Sequence, residues 1–230
     1  MENNLLIVLG NQLFPLEELK KYNFNHILMI EDYELCTYEK HHKSKILLFL
    51  TSMREYRDSL SSLEAKIHYF ELSKKNKSFL GNLSRIIDDN KIDNLLYFNP
   101  ADKDFGDKLK KFINSSGKNS IQLENPMFLL KEGEFNELMK GKRLFMADFY
   151  KKMRRRMNIL MDLDKPEGGK WSYDDENRKK LPKEITLPTI PIFKESKYRK
   201  ELEDLVNHLF PNHPGSLKGF LPPTNRKDSL

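Results

Sequence analysis

The sequence predicts an α/β fold, an open, doubly wound parallel sheet of five strands over residues 1–130, followed by a helical and extended connector over residues 131–230. Two observations predict this organisation. Short, continuous apolar runs alternate with longer segments in which apolar residues recur every three or four positions. The joints between these segments are short, and such an alternation builds βαβ units with parallel strands and right-handed crossovers, as in Rossmann-like domains.

Five strands are predicted, most clearly from continuous apolar runs, and the third from a less regular alternation of Ile67, Tyr69 and Leu72. They cover residues 5–9, 27–30, 66–72, 95–98 and 120–123. Continuous runs, rather than alternating ones, are typical of strands that are covered on both faces. Gly10 and Glu31 end the first two runs, and Asn99 with Pro100 closes the fourth.

Helices are predicted between the strands and after them. Apolar residues at three- and four-residue spacing mark residues 41–63, 79–89 and 103–114 in the first part of the chain, and 135–138, 144–161 and 196–209 in the second. Residues 181–191 contain Pro182, Pro188 and Pro191, which favour an extended segment.

Positive charge is concentrated in one segment. Of the net charge of +6, residues 141–180 supply +5, because they contain 12 Lys and Arg against 7 Asp and Glu. The predicted basic helix carries Lys151 and the run Arg154, Arg155 and Arg156. Three roles remain open for this cluster: a solvated helix face, contact with DNA phosphates, and ion pairs with the acids at 174–176. We interpret the only tryptophan, Trp171, as a packing anchor for the connector.

Composition excludes several classes of protein. No apolar run approaches the roughly 18 residues of a membrane span. The first ten residues lack the basic region of a signal peptide and enter a strand pattern at once. The single cysteine, Cys36, excludes an intramolecular disulfide and suits a reducing compartment. We therefore expect a cytoplasmic protein without a membrane partner.

A ligand site is expected at the carboxyl ends of the strands, where open α/β sheets bind their ligands. The turn after the first strand has no GxGxxG or Walker pattern, which argues against a pyrophosphate loop. Its residues Gly10, Asn11 and Gln12 offer amide groups to a flat heteroaromatic ligand, although a plain βα turn is the alternative. Glu31 ends a strand at the same edge, where it could accept from a ligand or cap the next segment.

The adjacent histidines His41 and His42 begin the predicted helix 41–63. Neighbours on a helix point about 100° apart, so they do not form the i,i+4 pair of a metal site, and no metal site is predicted. One of them could line the ligand pocket, whereas a histidine bonded to the backbone at the helix N-terminus is the alternative. Phe49 lies two turns into this helix, where its ring would narrow the pocket.

Motifs along the whole chain resemble one family. The residues that carry the resemblance are Gly10 to Leu13, Tyr38, His41 to Ile46, Ser52 to Arg54, Phe149-Tyr150, Met153 to Arg155, Leu160 to Asp162, Pro166 to Trp171, Asp174, Glu176 to Arg178 and Phe210 to Leu217. In order and spacing they resemble the deoxyribodipyrimidine photolyase-related proteins, the bacterial, iron–sulfur branch of the cryptochrome/photolyase family.

The resemblance implies a division of labour. A complete member would repair pyrimidine lesions in DNA with light, FAD and a four-iron four-sulfur cluster, and the last two would be held by a helical domain that this chain lacks. This chain would be the antenna domain and connector, without activity of its own. The implied dimethyl-ribityllumazine pocket consists of Gly10, Asn11, Gln12, Glu31, Tyr38, His41, His42, Lys45 and Phe49.

A second hypothesis belongs to another class of protein. The chain would bind no pigment and would be a basic nucleic-acid-binding or docking domain that acts with a separately encoded flavin domain. Under either hypothesis we expect weak binding to DNA through Lys151, Arg154, Arg155 and Arg156.

Overall fold

A computed structural model describes residues 2–75, 78–131, 133–141 and 144–230. The chain forms two compact units, which we call the α/β unit (Met1–Pro126 with Pro191–Leu230) and the connector unit (Met127–Ile190). The predicted boundary at residue 130 lies near the first break. Residues 191–230 are predicted to belong to the connector, but they pack with the α/β unit instead.

Five parallel strands form the sheet of the α/β unit. They are β1 (Asn4–Ile7), β2 (His26–Ile30), β3 (Lys66–Phe70), β4 (Asn94–Phe98) and β5 (Asn119–Leu123), in the order β3-β2-β1-β4-β5. The predicted α/β class is confirmed. The chain moves outward from β1 to β3 and then returns to β4 on the other side of β1. The strand order thus switches between β1 and β4, where the loops separate and leave room for a ligand.

Nine helices lie in the described part of the chain. They are α1 (Leu16–Leu19), α2 (Tyr33–Thr37), α3 (Lys43–Ser59), α4 (Phe79–Asp89), α5 (Lys103–Ser115), α6 (Glu134–Met139), α7 (Met146–Met157), α8 (Arg199–Leu209) and α9 (Arg226–Ser229). The predicted helix 41–63 begins later because His42 caps it, and it tightens into a 3-10 turn at Leu60–Ser62. The sequence did not predict α1, α2 or α9, since helices of one turn are too short to show an apolar period.

The central strands β1, β2 and β4 are buried on both faces, to which their side chains point alternately. Leu5 and Ile7 of β1 pack on one face with residues of α4 and α5. Leu6 of the same strand packs on the other face with Met53 of α3. Continuous apolar runs are therefore required in the central strands.

A third apolar cluster joins the end of the chain to α3. It contains Ile46, Leu47, Leu50, Leu72, Leu202, Val206, Phe210 and Leu217. The face of α3 that points away from the sheet is thus covered by α8 and the residues after it. This packing explains why residues 191–230 belong to the α/β unit.

The connector unit contains α6, α7 and a short antiparallel hairpin formed by β6 (Met161–Asp162) and β7 (Lys165–Pro166). The predicted helix 144–161 ends at Met157. Asn158 adopts the left-handed conformation (φ 51°, ψ 41°), and its N–H bonds back to Arg154 and Arg155. Such a cap is favourable for asparagine and turns the chain into the hairpin.

Candidate functional site

A cleft of about 260 Å³ opens at the carboxyl edge of the sheet. The ends of β1 and β2, with Met53 of α3 and Phe79 of α4, form its floor. The walls come from α2, the first half of α3, the loop after β4 and α5. The loops after β1 and β4 flank the switch in strand order. The cleft therefore lies where a doubly wound sheet offers its binding site.

The floor of the cleft is apolar. Leu9, Ile30, Met53 and Phe79 contribute buried side chains, and Phe105 stands edge-on to Phe79 with ring centroids 5.1 Å apart. Such a surface favours a flat ring over a charged group.

Gly10 lets the first loop approach α3 closely. A Cβ atom at this position would lie 2.8 Å from the sulfur of Met53. The neighbouring Asn11 is exposed and lines the cleft.

Gln12, by contrast, is completely buried and does not line the cleft. Its Nε2 donates to the carbonyls of Phe98 and Asn99 at 3.3 Å, and its Oε1 accepts from the N–H of Leu9 at 3.4 Å. The side chain fastens the ends of β1 and β4 to each other. The amide that we expected to face a ligand is thus occupied by the backbone.

Glu31 lies at the cleft with its carboxylate already bonded. It accepts from Arg54 at 2.8 and 3.2 Å, from the Tyr69 hydroxyl at 2.6 Å and from the N–H of Leu72 at 2.7 Å. Arg54 is only 2% exposed and also pairs with Glu201 of α8 at 2.7 Å. Its pKa is above the ordinary value, because the bonds to these carboxylates outweigh the effect of burial, which lowers it.

Asp32 is a second buried acid at the cleft that the sequence did not single out. Its Oδ1 caps α2 by accepting from the N–H groups of Glu34 and Leu35, and its Oδ2 accepts from the N–H of Phe79 at 2.6 Å. Both carboxylates of the floor are therefore committed to the protein. An aspartate before a short helix is an ordinary N-cap signal, and that signal could have identified it.

The rim of the cleft carries polar and aromatic groups. The Nζ of Lys45 lies 3.3 Å from the Nδ1 of His41, and Tyr38 stands edge-on to the same imidazole. Partial burial, followed by the charge of Lys45, lowers the pKa of His41. The imidazole is therefore neutral at pH 7 and can donate or accept. Phe49 is 37% exposed and lines the cleft, as its helical position predicted.

His42 is not among the residues that line the cleft. Its Nδ1 accepts from the N–H of Ser44 at 3.1 Å and caps α3, and its ring lies against Gly215. This arrangement matches the backbone-bonded alternative that the sequence left open.

Cys36 lines the cleft from α2. Burial, followed by the charges of Asp32 and Glu31, raises the pKa of its thiol to about 12. The thiol is protonated at neutral pH and is a weak nucleophile.

In the connector unit, two arginines of the basic cluster bond to other residues of the unit. Arg154 is only 7% exposed and donates to the carbonyls of Ile159 and Leu160, which closes the end of α7. Arg156 pairs with Glu134 at 2.6 Å.

Arg155 remains exposed, and its guanidinium lies 4.5 Å from the ring centre of Trp171. The cation of Arg154 lies 5.3 Å from the same ring. Trp171 thus contacts the basic helix. Arg155 and Arg156 are both exposed, but Arg156 is ion-paired with Glu134.

In the described part of the chain, no helix combines the length and the apolar character needed to cross a membrane.

Fold and site together define a doubly wound α/β domain with a cleft at the carboxyl edge of its sheet, together with a basic connector unit. The chain matches the family model of the deoxyribodipyrimidine photo-lyase-related proteins over residues 6–221. It is 30% identical over 225 residues to the (6-4) photolyase of Agrobacterium fabrum, with 95% of this chain and 44% of that protein covered. It is 25% identical over 196 residues to an uncharacterized protein of Acanthamoeba polyphaga mimivirus, with 80% of this chain and 98% of that protein covered.

The protein belongs to the deoxyribodipyrimidine photo-lyase-related family. The family resemblance read from the motifs is thereby confirmed. The chain spans less than half of the length of the (6-4) photolyase that it matches.

Proposed function

We propose that the α/β unit binds dimethyl-ribityllumazine in the carboxyl-edge cleft and serves as the light-harvesting domain of a photolyase-related protein. The observation that carries this proposal is the distribution of polar groups. The floor is apolar and its two carboxylates are fully bonded, whereas Asn11, Tyr38, His41 and Lys45 surround the opening. A ligand with a flat ring and a polar tail matches this arrangement.

The size of the cleft restricts it to a small ligand. Sites for drug-sized molecules occupy roughly 300–1,000 Å³, and the cleft, at about 260 Å³, lies just below that range. A bicyclic ring would fill the floor, and the ribityl chain would lie at the rim. Its hydroxyl groups would meet Lys45 and His41 rather than Glu31, whose carboxylate is bonded to Arg54.

Repair of pyrimidine lesions in DNA is the wider role that we propose for the complete system. The four-iron four-sulfur cluster implied by the family does not fit this chain by itself, since such a cluster needs about four thiolates and Cys36 is the only cysteine. We assign the cluster and FAD to a further domain or a separate flavin-domain chain.

DNA binding by the connector is a second candidate function. Arg155 is exposed and Lys151 is partly exposed, whereas Arg154 and Arg156 bond to the connector unit. We expect weak, sequence-independent contact with phosphates through the first two residues. A docking role beside a separate flavin domain would use the same surface.

The lumazine proposal is tested by titration of the pigment into the purified chain, followed by fluorescence anisotropy. Lys45→Ala should weaken binding because Lys45 lines the rim. Lys43→Ala is the matched control, since Lys43 lies on the same helix but reaches Asn207 instead. A parent chain that binds no lumazine, or equal affinities for the two variants, would overturn the proposal.

A further inference from the structure

We propose that residues 213–217, which we call the strap, couple the docking of the C-terminal segment to the occupancy of the cleft. The strap holds the first turn of α3, and that turn forms part of the rim. This inference deepens the proposed function and depends on it only for the identity of the ligand.

The strap is joined to the start of α3 by three hydrogen bonds. Each bond connects a different residue of the strap to a different residue at or just before the first turn. The pairs are His213 Nδ1 with the His41 carbonyl at 2.9 Å, the Pro214 carbonyl with the Lys43 N–H at 2.9 Å, and the Ser216 carbonyl with the Ser44 hydroxyl at 3.3 Å. The Lys43 N–H is one of the helix N–H groups that have no partner inside the helix, so the strap completes the N-terminus of α3.

Gly215 is required at the centre of the strap. Its φ is +89°, and a Cβ atom there would lie 1.8 Å from the Nε2 of His42. The His42 ring therefore fits between the strap and the helix that it caps. Any larger residue at 215 must displace the ring, the strap or both.

The elements held by the strap are also the walls of the cleft. His41, just before α3, and Lys45, in its first turn, line the opening, and Cys36 lines it from α2. On the other side of α2, Tyr33 stacks on Phe210, which is 1% exposed, with ring centroids 5.6 Å apart. One side of these elements thus faces the cleft, and the other side rests on residues 210–217.

Dense packing allows a displacement of the strap to reach the wall of the cleft. Protein interiors transmit displacements because they contain few voids, so movement of the strap must move the wall. Coupling between two sites is reciprocal. A ligand that requires the closed wall will bind more tightly when the strap is docked, and it will in turn stabilise the docked strap.

The first experiment uses Cys36 as a reporter of the wall. Cys36 is the only cysteine, and its protonated, partly buried thiol should react slowly with an aromatic disulfide reagent while the wall is closed. Gly215→Ala should raise the labelling rate about fivefold or more, the lower end of ordinary coupling between sites.

Gly219→Ala is the matched control. Gly219 also has a positive φ, +73°, but among the described residues no atom beyond its chain neighbours lies within 4 Å of its Cβ position. Cys36 of Gly219→Ala should therefore be labelled at the parent rate. Equal rates for the two glycine variants, with far-UV circular dichroism showing both folded, would overturn the proposal.

A second set of variants applies if Gly215→Ala does not fold. Ser44→Ala removes one of the three bonds, and loss of one hydrogen bond should raise the labelling rate about twofold to tenfold. Ser62→Ala is its control, because the Ser62 hydroxyl bonds locally to Ser59. A Ser44→Ala rate equal to that of the control would overturn the coupling.

Measurements with the ligand distinguish failure of the coupling from failure of lumazine binding. Added dimethyl-ribityllumazine should slow the labelling of Cys36 in the parent and increase the hydrogen-exchange protection of residues 213–217. If lumazine has no effect but Gly215→Ala still labels faster than Gly219→Ala, the coupling stands and the ligand is wrong. If lumazine binds but the two variants label alike, the ligand stands and the coupling is wrong.

Discussion

Replacement of Arg54 by methionine should destabilise the α/β unit strongly. Arg54 and Glu31 are both 2% exposed, and two bonds of 2.8 and 3.2 Å join them. Removal of one partner from a buried ion pair costs about 3–5 kcal/mol, because the other charge remains buried without compensation. In a chain of this size, 1 kcal/mol shifts Tm by about 2–4 °C, so we expect a decrease of about 6–20 °C.

Urea unfolding followed by far-UV circular dichroism measures this cost, since the helices and strands of the α/β unit dominate that signal. Trp171, the only tryptophan, lies in the connector unit and gives a separate fluorescence probe. Arg57→Met is the matched control one turn further along α3. Its side chain is 23% exposed, and pairs with more solvent contribute about 0–1 kcal/mol.

Removal of the second buried charge should restore part of the stability. Glu31→Gln in the Arg54→Met background should recover part of the lost stability, because the buried carboxylate is then gone. The reasoning is refuted if Arg54→Met costs no more than Arg57→Met. It is also refuted if the double variant is as unstable as the sum of the two single variants.

Three further predictions concern the pocket, pH and DNA. Phe49→Ala should bind dimethyl-ribityllumazine more tightly than the parent because the substitution widens the cleft. A titration checks this, with Ile121→Ala of β5 as control. Weaker binding by Phe49→Ala would show that the ring helps to hold the ligand. Burial and the neighbouring His26 lower the pKa of His68 to about 4 from 6.5, so the unfolded chain binds more protons between these values and stability should fall as pH decreases from 6.5 to 4. His68→Gln should flatten that slope in urea melts, and an unchanged slope would contradict the assignment. Arg155→Ala should weaken DNA binding, and the slope of log K against log salt concentration should become shallower by about 0.9 if one phosphate contact is lost. Arg156→Gln should change that slope less, because Arg156 is paired with Glu134. A larger effect of Arg156→Gln would exclude Arg155 as the contact.

The central strands β1, β2 and β4 could be predicted because burial on both faces requires continuous apolar runs, whereas the edge strands β3 and β5 are more exposed and carry a weaker pattern. The same alternation predicted a doubly wound sheet, but it did not give the strand order that places the switch between β1 and β4. The position of Glu31 at the carboxyl edge was also predictable, since it ends a strand. Its bonding was not, because Arg54 lies 23 residues away within a helical pattern that does not show which way an arginine points.

The remaining differences have similar causes. The amide of Gln12 reaches the end of β4, a contact that depends on strand order rather than on local sequence. In the basic run, counting charges cannot distinguish Arg154, which closes α7, from the exposed Arg155. The amphipathic pattern of α8 indicates that one face is buried, but it does not identify α3 as the surface that covers it.

The return of residues 191–230 to the α/β unit has a consequence for the order of folding during synthesis. All strands of the sheet are present once Leu123 has left the ribosome, but Phe210 of the third apolar cluster follows roughly ninety residues later. At about 5–20 residues per second, this interval lasts on the order of 4–18 s. During that time the outer face of α3, with Leu47 and Leu50, is exposed to water. The nascent chain therefore passes through a stage in which its sheet can form before α8 has been synthesised to cover the apolar face of α3.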